Sequence, residues 1–247
     1  MDLHLEGRTA IVCGASAGMG LGIAEALAGE GANVVMFARR RDPLEREAGR
    51  LGGLALPGDV TNADDVERLV QTTVAEYGGI DILVNNSGGP PRSTAVGLRP
   101  DEVEAAVQLL LVSVVRLTGL CLPYLEQSEC GRVVNVTSST VKEPVDNLVL
   151  SNAVRPGVIG WANTLAREIG PKGITVNSIA PGWIDTERIR EVTPQGPTEE
   201  DLQAIPLRRL GAPREIGDVV AFLCSDRAAY ITGAVVSVDG GLTRGLL

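Results

Sequence analysis

A glycine-rich turn near the amino terminus is the first stretch of the sequence that could do chemistry. An apolar run at residues 9–12 breaks into residues 13–20, which carry glycines at positions 14, 18 and 20, and a helical pattern follows. A strand, a tight turn and a helix amino terminus together present backbone N–H groups to an anion. The spacing G-x-x-x-G-x-G therefore predicts a pyrophosphate cradle, the alternative being a turn that binds nothing.

The composition argues against several other kinds of chemistry. A formal net charge of −9 argues against a nucleic-acid partner. The only histidine, His4, lies in the N-terminal lead-in, so no histidine-based site is expected. Cys13, Cys121, Cys130 and Cys224 lack metal-ligand spacing, so we expect no metal and reduced, buried thiols in a cytoplasmic protein. No stretch resembles a signal peptide or approaches the length of a membrane span, so no membrane association is expected.

Predicted strands and helices alternate along the chain, and these elements must position the glycine turn. Short apolar runs predict strands at residues 9–12, 33–38, 54–57, 81–84, 132–137, 174–179 and 234–238. Helices are predicted between them at residues 21–27, 63–77, 100–126, 148–169 and 213–224. This alternation predicts one α/β domain over residues 1–247, a doubly wound parallel sheet of about seven strands with helices on both faces. Residues 185–205 form a proline- and glycine-containing insertion that we expect to cover a substrate.

The helix predicted at residues 100–126 is apolar on nearly all sides. Val107, Leu110, Val114 and Leu117 are among the apolar residues that leave it almost no polar face. Such a helix must be covered on both sides. We expect a second subunit to cover it, giving a dimer or tetramer, the alternative being an apolar surface of a monomer.

Several segments, in a consistent order and spacing, resemble one family, the short-chain dehydrogenases/reductases. They are the turn at 14–20, the pair Asp59-Val60, the Asn-Asn-Ser-Gly segment at 85–88, the Pro-Gly-Trp-Ile-Asp-Thr loop at 181–186, and C-terminal segments at 209–216 and 231–241. The resemblance covers nearly the whole chain. It implies a Rossmann-type fold, oxidoreductase activity on a small carbonyl or alcohol, and a homo-oligomer built on the long apolar helix.

The resemblance also implies which positions bind the dinucleotide. The turn would hold the pyrophosphate, Asp59-Val60 the adenine side, and the loop at 181–186 the nicotinamide amide. The implied contacts are Gly14, Ser16, Ala17, Gly18, Met19, Gly20, Asp59, Val60, Asn86, Gly88, Arg155, Pro181, Gly182, Ile184 and Thr186.

The charge at the end of the second strand bears on the choice of dinucleotide. An NAD site places a carboxylate there for the ribose 2′-hydroxyl, whereas this chain has Ala38 followed by Arg39 and Arg40. A guanidinium suits a 2′-phosphate, which a carboxylate would repel. The sequence therefore predicts NADP(H), the alternative being that both arginines belong to a solvated surface run.

The catalytic positions depart from the pattern that the resemblance supplies, an Asn, a Ser and a Tyr-x-x-x-Lys pair. Ser138 aligns with the serine, but Ser151 and Arg155 stand at the tyrosine and lysine positions, and Leu110 aligns with the asparagine. Ser151 is a poor proton source because an alkyl hydroxyl lacks the tunable pKa of a phenol. Arg155 retains a positive charge that could bind the ribose hydroxyls.

Two further residues bear on the proton path. Pro156 lies inside the helix predicted at 148–169, where it removes the hydrogen bond to the Asn152 carbonyl and predicts a kink or a shortened first half. Lys142, four residues beyond Ser138, is a candidate replacement acid. The alternatives are a solvent-facing lysine and a bound water relayed through Ser138.

Three functions remain open at the level of the sequence. The first is an NADP(H)-dependent dehydrogenase/reductase with a non-standard proton donor and catalytic residues Ser138, Ser151 and Arg155. The second is a catalytically silent NADP(H)-binding protein or hetero-oligomer subunit. The third is a lyase or dehydratase that keeps the nucleotide fold for non-redox chemistry.

Overall fold

Seven parallel strands form one sheet in the computed structural model, which describes residues 1–193 and 195–245. The strands are β1 (Thr9–Cys13), β2 (Asn33–Ala38), β3 (Leu54–Pro57), β4 (Ile82–Asn85), β5 (Arg132–Val136), β6 (Thr175–Pro181) and β7 (Val235–Val238). Their order across the sheet is β3-β2-β1-β4-β5-β6-β7, and every neighbouring pair is parallel. The predicted doubly wound parallel sheet is confirmed.

The helices connect successive strands or extend the loops between them. They are α1 (Gly18–Gly29), α2 (Arg41–Leu51), α3 (Ala63–Tyr77), α4 (Pro100–Val107), α5 (Ser113–Leu125), α6 (Val149–Ile169), α7 (Glu187–Val192), α8 (Glu199–Ala204) and α9 (Pro213–Cys224). Short 3-10 turns at Ser139–Val141, Gly170–Lys172 and Asp226–Ala228 and a π-helical segment at Gln108–Val112 complete the described elements. Helices α7 and α8 occupy the insertion predicted at residues 185–205.

Alternate residues of the central strands face two separate cores. Val12 and Met36 belong to the core beneath α1, α2 and α9, whereas Ile11 and Phe37 belong to the core beneath α3, α5 and α6. Because successive side chains of a strand point to opposite faces, a strand that is apolar throughout must be covered on both sides. All five residues of β1 are buried, as this arrangement requires.

Helices α1 and α9 pack together through glycines. A Cβ added at Gly217 would lie 2.2 Å from the Gly22 carbonyl oxygen, and one at Gly22 would lie 2.5 Å from the Pro213 carbonyl oxygen. Neither position accepts a side chain without moving a helix. The contact fixes α1, and with it the turn before α1, against the C-terminal part of the chain.

The long apolar helix is α4 and α5 joined by one π-helical segment, Gln108–Val112. Over Pro100–Leu125 it is 26 residues long, with a mean hydropathy of 2.0 in its most apolar window. By length and composition alone this is enough to cross a membrane, so the prediction that no stretch approaches that length is wrong. Only 33% of that window is buried, and most of its other apolar residues are half-buried, so the helix leaves a partly open apolar face.

Helix α6 runs without a break through Pro156. The proline side chain is exposed to solvent, and the helix begins at Val149, seven residues before it. The predicted shortening of the first half is therefore wrong. Val154 and Val158 on either side of Pro156 are buried, and their packing holds the turn that the missing hydrogen bond weakens.

Candidate active site

The carboxyl ends of all seven strands meet at one edge of the sheet, and the glycine turn lies at its centre. Gly14 and Gly18 have φ values of +63° and +57°, the left-handed region that favours glycine. Helix α1 has Ala17 at its N-cap, no side-chain cap and no acidic residue in its first turn. The N–H groups of that turn therefore have no capping side chain and favour a negatively charged ligand.

Loops from two other strands close around this turn. Asn86 Nδ2, after β4, donates a hydrogen bond to the Cys13 carbonyl at 3.0 Å. A Cβ on Gly14 would lie 2.6 Å from that same nitrogen, so only glycine fits there. Thr186, after β6, comes so close to Gly18 that a Cβ on the glycine would lie 3.2 Å from its methyl group.

The loop after β6 is held in place by the end of β7. Gly182 N donates to the Val238 carbonyl at 3.1 Å, and Pro181 and Ile184 are buried. Asp185 N donates to the Gly211 carbonyl at 2.8 Å. The approach of Thr186 to Gly18 thus brings residues 181–186 beside the turn, which also contains Ser16, Met19 and Gly20.

The predicted adenine side lies at the ends of β2 and β3. Asp59 Oδ1 accepts hydrogen bonds from the Thr61 backbone and hydroxyl, and Val60 lines the groove next to Asn86 and Ser87. Arg39 and Arg40 follow β2 with exposed side chains, and Arg40 Nη2 lies 3.0 Å from Glu187 Oε2. Gly88, after β4, is also exposed.

The three predicted catalytic residues lie at the same edge but do not all contact one another. Ser138 follows β5, is half-buried, and its Oγ accepts from the Thr140 N–H at 3.3 Å. Ser151, on α6, is 5% exposed, and its Oγ lies 2.9 Å from Thr140 Oγ1. Sequence reasoning missed Thr140, whose signal is its place two residues after Ser138 in the loop that follows a strand.

Arg155, one turn of α6 beyond Ser151, is a buried guanidinium without a carboxylate among the hydrogen bonds and ion pairs of the described residues. Its Nη1 donates to the Val136 carbonyl at 3.1 Å, and its Nε has no partner within the described part of the chain. Burial lowers the pKa of Arg155 to about 10, which leaves the side chain charged at neutral pH. An unpaired buried donor is costly, so this position calls for an acceptor from a ligand.

The groove lined by Val60, Asn86 and Ser87 contains a small cavity of about 20 Å³, and Arg155 lies in the wall of this cavity. Leu110, on the π-helical segment, lines it together with Asn86 and Asn135, whose Nδ2 also lacks a partner among the described residues. Leu110 gives this wall no hydrogen-bonding side chain. The polar groups that reach the cavity from Arg155 and Asn135 are donors.

Lys142, the candidate replacement acid, stands at the end of the 3-10 turn Ser139–Val141 and is half-buried. In the described residues its ammonium group contacts neither Ser138 nor Ser151. The proton path through Lys142 therefore has no contact to support it, whereas the Thr140–Ser151 pair is formed.

The fold and the site define a nucleotide-binding oxidoreductase domain, and comparison with known proteins gives the family. A family model described as enoyl-(acyl carrier protein) reductase matches residues 14–243. The chain is 38% identical over 246 residues to 3-oxoacyl-[acyl-carrier-protein] reductase FabG of Vibrio cholerae, covering 97% of this chain and 99% of that one. The FabG of Escherichia coli is 36% identical over 244 residues, with the same coverage. The chain therefore belongs to the short-chain dehydrogenase/reductase family.

Solved structures agree with this assignment. L-sorbose reductase from Gluconobacter frateurii, complexed with NADPH and L-sorbose, matches with a TM-score of 0.94, 31% identity and full coverage of both chains. An NADPH-bound short chain oxidoreductase from Pseudomonas aeruginosa PAO1, described as containing an atypical catalytic center, matches with a TM-score of 0.90 and 32% identity over 96% of this chain and 97% of that one.

Proposed function

We propose that this chain is an NADP(H)-dependent oxidoreductase that interconverts a carbonyl and an alcohol through a proton path without tyrosine. The observation that carries the proposal is the buried guanidinium of Arg155, with its unpaired Nε, in the wall of a cavity that is also lined by Cys13 and Asn86, the neighbours of the glycine turn. Relatives with 28–32% identity are described as NADPH-bound or NADPH-dependent, which supports the same cofactor. When bound, NADP(H) supplies or accepts the hydride.

The residues present fit such a cofactor. The turn residues Gly14, Ser16, Ala17, Gly18, Met19 and Gly20 would hold the pyrophosphate. Arg39 and Arg40 would bind the 2′-phosphate because guanidinium groups pair well with phosphate oxygens. The adenine and nicotinamide sides would be held by Asp59, Val60, Asn86, Gly88, Pro181, Gly182, Ile184 and Thr186.

Arg155 would bind the nicotinamide ribose hydroxyls through the donor that the protein leaves unpaired. Its fixed positive charge also stabilises negative charge that develops on a substrate oxygen nearby. It does not serve as the acid, because even with its pKa lowered to about 10 it holds its proton at neutral pH.

The hydroxyl groups of Ser138, Thr140 and Ser151 would complete the site. Ser138 would orient the carbonyl oxygen, and reduction of the carbonyl leaves an alkoxide oxygen that needs one proton. A hydroxyl can donate one proton while accepting another, so Ser151 gives its proton to the alkoxide and takes one from Thr140. Thr140 takes a proton from a water molecule, and the hydroxide that remains is neutralised by the solvent, so each reduction consumes one proton and leaves both side chains neutral.

Three features around the site belong to the same proposal. Residues 185–205, with α7 and α8, would cover the substrate. The open apolar face of α4 and α5 would be buried in a homo-oligomer, either a dimer or a tetramer. The proposal also includes a cytoplasmic location, a single domain over residues 1–247 and small-molecule substrates.

The test combines a substrate panel with one variant of matched shape. The full chain with NADPH is offered ketoses, 3-oxoacyl thioesters and simple ketones, and the loss of NADPH absorbance is followed. Thr140→Val keeps the side-chain shape but removes the hydroxyl, so we expect kcat to fall by about tenfold or more while the Kd for NADPH stays within about twofold. No turnover of any substrate contradicts the activity, and an unchanged kcat in Thr140→Val contradicts the relay.

A silent NADP(H)-binding role is the second candidate. The observation that favours it is that the Ser151 hydroxyl is already hydrogen-bonded to Thr140. In addition, Leu110 and Arg155 stand where the family pattern has an asparagine and a lysine. The discriminating variant combines Ser151→Tyr, Arg155→Lys and Pro156→Ala. Activity that appears only in this restored protein would assign the silent role to the natural chain.

A further inference from the structure

Helix α7 is tied to both sides of the cofactor groove by neighbouring residues. Glu187 Oε2 lies 3.0 Å from Arg40 Nη2, after β2, and Arg188 Nη2 donates to the Pro90 carbonyl, after β4, at 3.0 Å. In the sheet β1 lies between β2 and β4, so the glycine turn that follows β1 lies between these two ties. Thr186, just before α7, contacts Gly18 of that turn.

The arginine held by Glu187 is one of the two expected to bind the 2′-phosphate. From this coincidence we infer that Glu187 competes with the 2′-phosphate for Arg40, and so sets how strongly the chain prefers NADP(H) over NAD(H). The inference rests on the proposed function, since it assumes that a dinucleotide occupies the groove. It adds a specificity-determining residue outside the positions that the resemblance implies for dinucleotide binding.

The competition follows from the charges. The 2′-phosphate carries more negative charge than a carboxylate and offers several acceptor oxygens to a guanidinium, so Arg40 exchanges one anionic partner for another. Both side chains of the ion pair are more than half exposed, at 52% for Arg40 and 60% for Glu187. Arg40 can therefore exchange its partner without repacking buried side chains. After the exchange Glu187 stands beside the phosphate and repels it. NAD(H) has no 2′-phosphate and leaves the ion pair intact.

The experiment measures binding, and needs no substrate. Isothermal titration of the full chain gives Kd values for NADPH, NADH, adenosine 2′,5′-bisphosphate and 5′-AMP. For Glu187→Gln we expect NADPH and the bisphosphate to bind about fivefold more tightly, with NADH and 5′-AMP changed by less than about twofold. Raising the salt to about 0.5 M should reduce the gain, because exposed charges are then screened.

Two further variants make the result specific to this ion pair. Glu45→Gln removes a carboxylate of similar exposure that lies 2.9 Å from the neighbouring Arg41, and we expect it to change the Kd for NADPH by less than about twofold. Arg40→Met should weaken NADPH binding, and adding Glu187→Gln to it should give no gain.

Each outcome decides the inference. It is overturned if Glu187→Gln leaves the Kd for NADPH unchanged, if Glu45→Gln gives an equal gain, or if the gain persists without Arg40. In those cases wild-type binding of NADPH would still support the proposed function. If the wild type binds neither NADPH nor NADH, the inference and the proposed cofactor role fail together.

Discussion

At Arg155, burial and charge oppose each other. A guanidinium that is 8% exposed, with one carbonyl partner and an unpaired Nε, is costly to keep in a folded protein. A ligand that brings hydroxyl or phosphate oxygens repays part of that cost on binding. Placing arginine here rather than lysine gives a charge that does not titrate near neutral pH.

Arg155→Lys tests that difference. Burial lowers the pKa of Arg155 from 12.5 to about 10, and an equal effect would lower that of a lysine from about 10.4 to about 8. A base with a lowered pKa loses its charge as the pH rises through that value. We therefore expect NADP(H) binding by Arg155→Lys to weaken as the pH rises above about 8, while the wild type stays level to about 9. Parallel titrations of Kd against pH check this, and superimposable profiles would refute it.

Single residues also show which parts of the candidate site could be predicted from the sequence. The glycines of the turn, Arg39, Arg40 and Ser138 could be singled out because their types are tied to a function at a strand end. Thr140 carries only a weak signal, its place in the loop after β5, because its hydrogen bond to Ser151 depends on a rotamer and on the angle at which α6 packs. The partner of Arg40 was equally hidden, since Glu187 lies almost 150 residues away in sequence.

Among the elements, α6 shows how packing outweighs local preference. Pro156 sits in the interior of a 21-residue helix, yet the helix is continuous because its buried residues hold both halves on the sheet. Local rules alone predicted a kink or a shortened first half, and the helix is not shortened because tertiary packing holds its first turns. The π-helical segment between α4 and α5 could not be predicted for the same reason. Tertiary contacts, rather than local composition, determine where its extra residue is inserted.

Pro156→Ala should stabilise the protein. The substitution restores one backbone hydrogen bond and removes the clash with the Asn152 carbonyl, at a solvent-exposed position. We expect the free energy of unfolding to rise by about 1–3 kcal/mol, measured by urea titration. An unchanged or lower value would mean that the surrounding loops depend on the proline.

The start of α9 carries a second prediction at this scale. Glu215 accepts from Ala212 N at 2.7 Å and from two Arg209 nitrogens at 2.8 and 2.6 Å, and these bonds lower its pKa to about 2. A carboxyl with a lowered pKa contributes stability that is present above its ordinary value of 4.5 and is lost as the pH falls toward 2.

Because the Glu215 side chain is 44% exposed, the expected contribution is modest. Glu215→Gln should lower the free energy of unfolding by about 0.5–1 kcal/mol at pH 7. The gap between the two proteins should close as the pH falls from about 4.5 to 2, as followed by thermal unfolding. A gap that stays constant over this range would show that the charge is not what matters.

For helices as a whole, hydrophobic periodicity predicted α3, α6 and α9 with nearly correct ends. Hydrophobic periodicity does not predict helix α2, because only Leu44 and Ala48 of its residues are buried and the rest are mostly charged. Its apolar signal is too short to stand out from a loop.

At the scale of the whole molecule, the open face of α4 and α5 is the surface on which the proposed oligomer depends. Val115 is 40% exposed on this face. Val115→Lys places a charge on an apolar surface, so we expect it to dissociate the oligomer to smaller species in sedimentation velocity runs. Val96→Lys, at a loop residue that is 92% exposed, is the control and should leave the sedimentation coefficient unchanged. A wild type that sediments as a monomer would reject the proposed oligomer.

The glycine contact between α1 and α9 has a consequence for biosynthesis. The first helix of the chain rests on a helix made of residues 213–224, and Gly22 and Gly217 leave no room for any substitute between them. A nascent polypeptide still lacking its last forty residues on the ribosome therefore carries a nucleotide turn whose helix packs on β1 and β2 but lacks its contact with α9. We therefore expect the chain to bind the dinucleotide only after α9 has been translated, which would tie cofactor loading to completion of the chain.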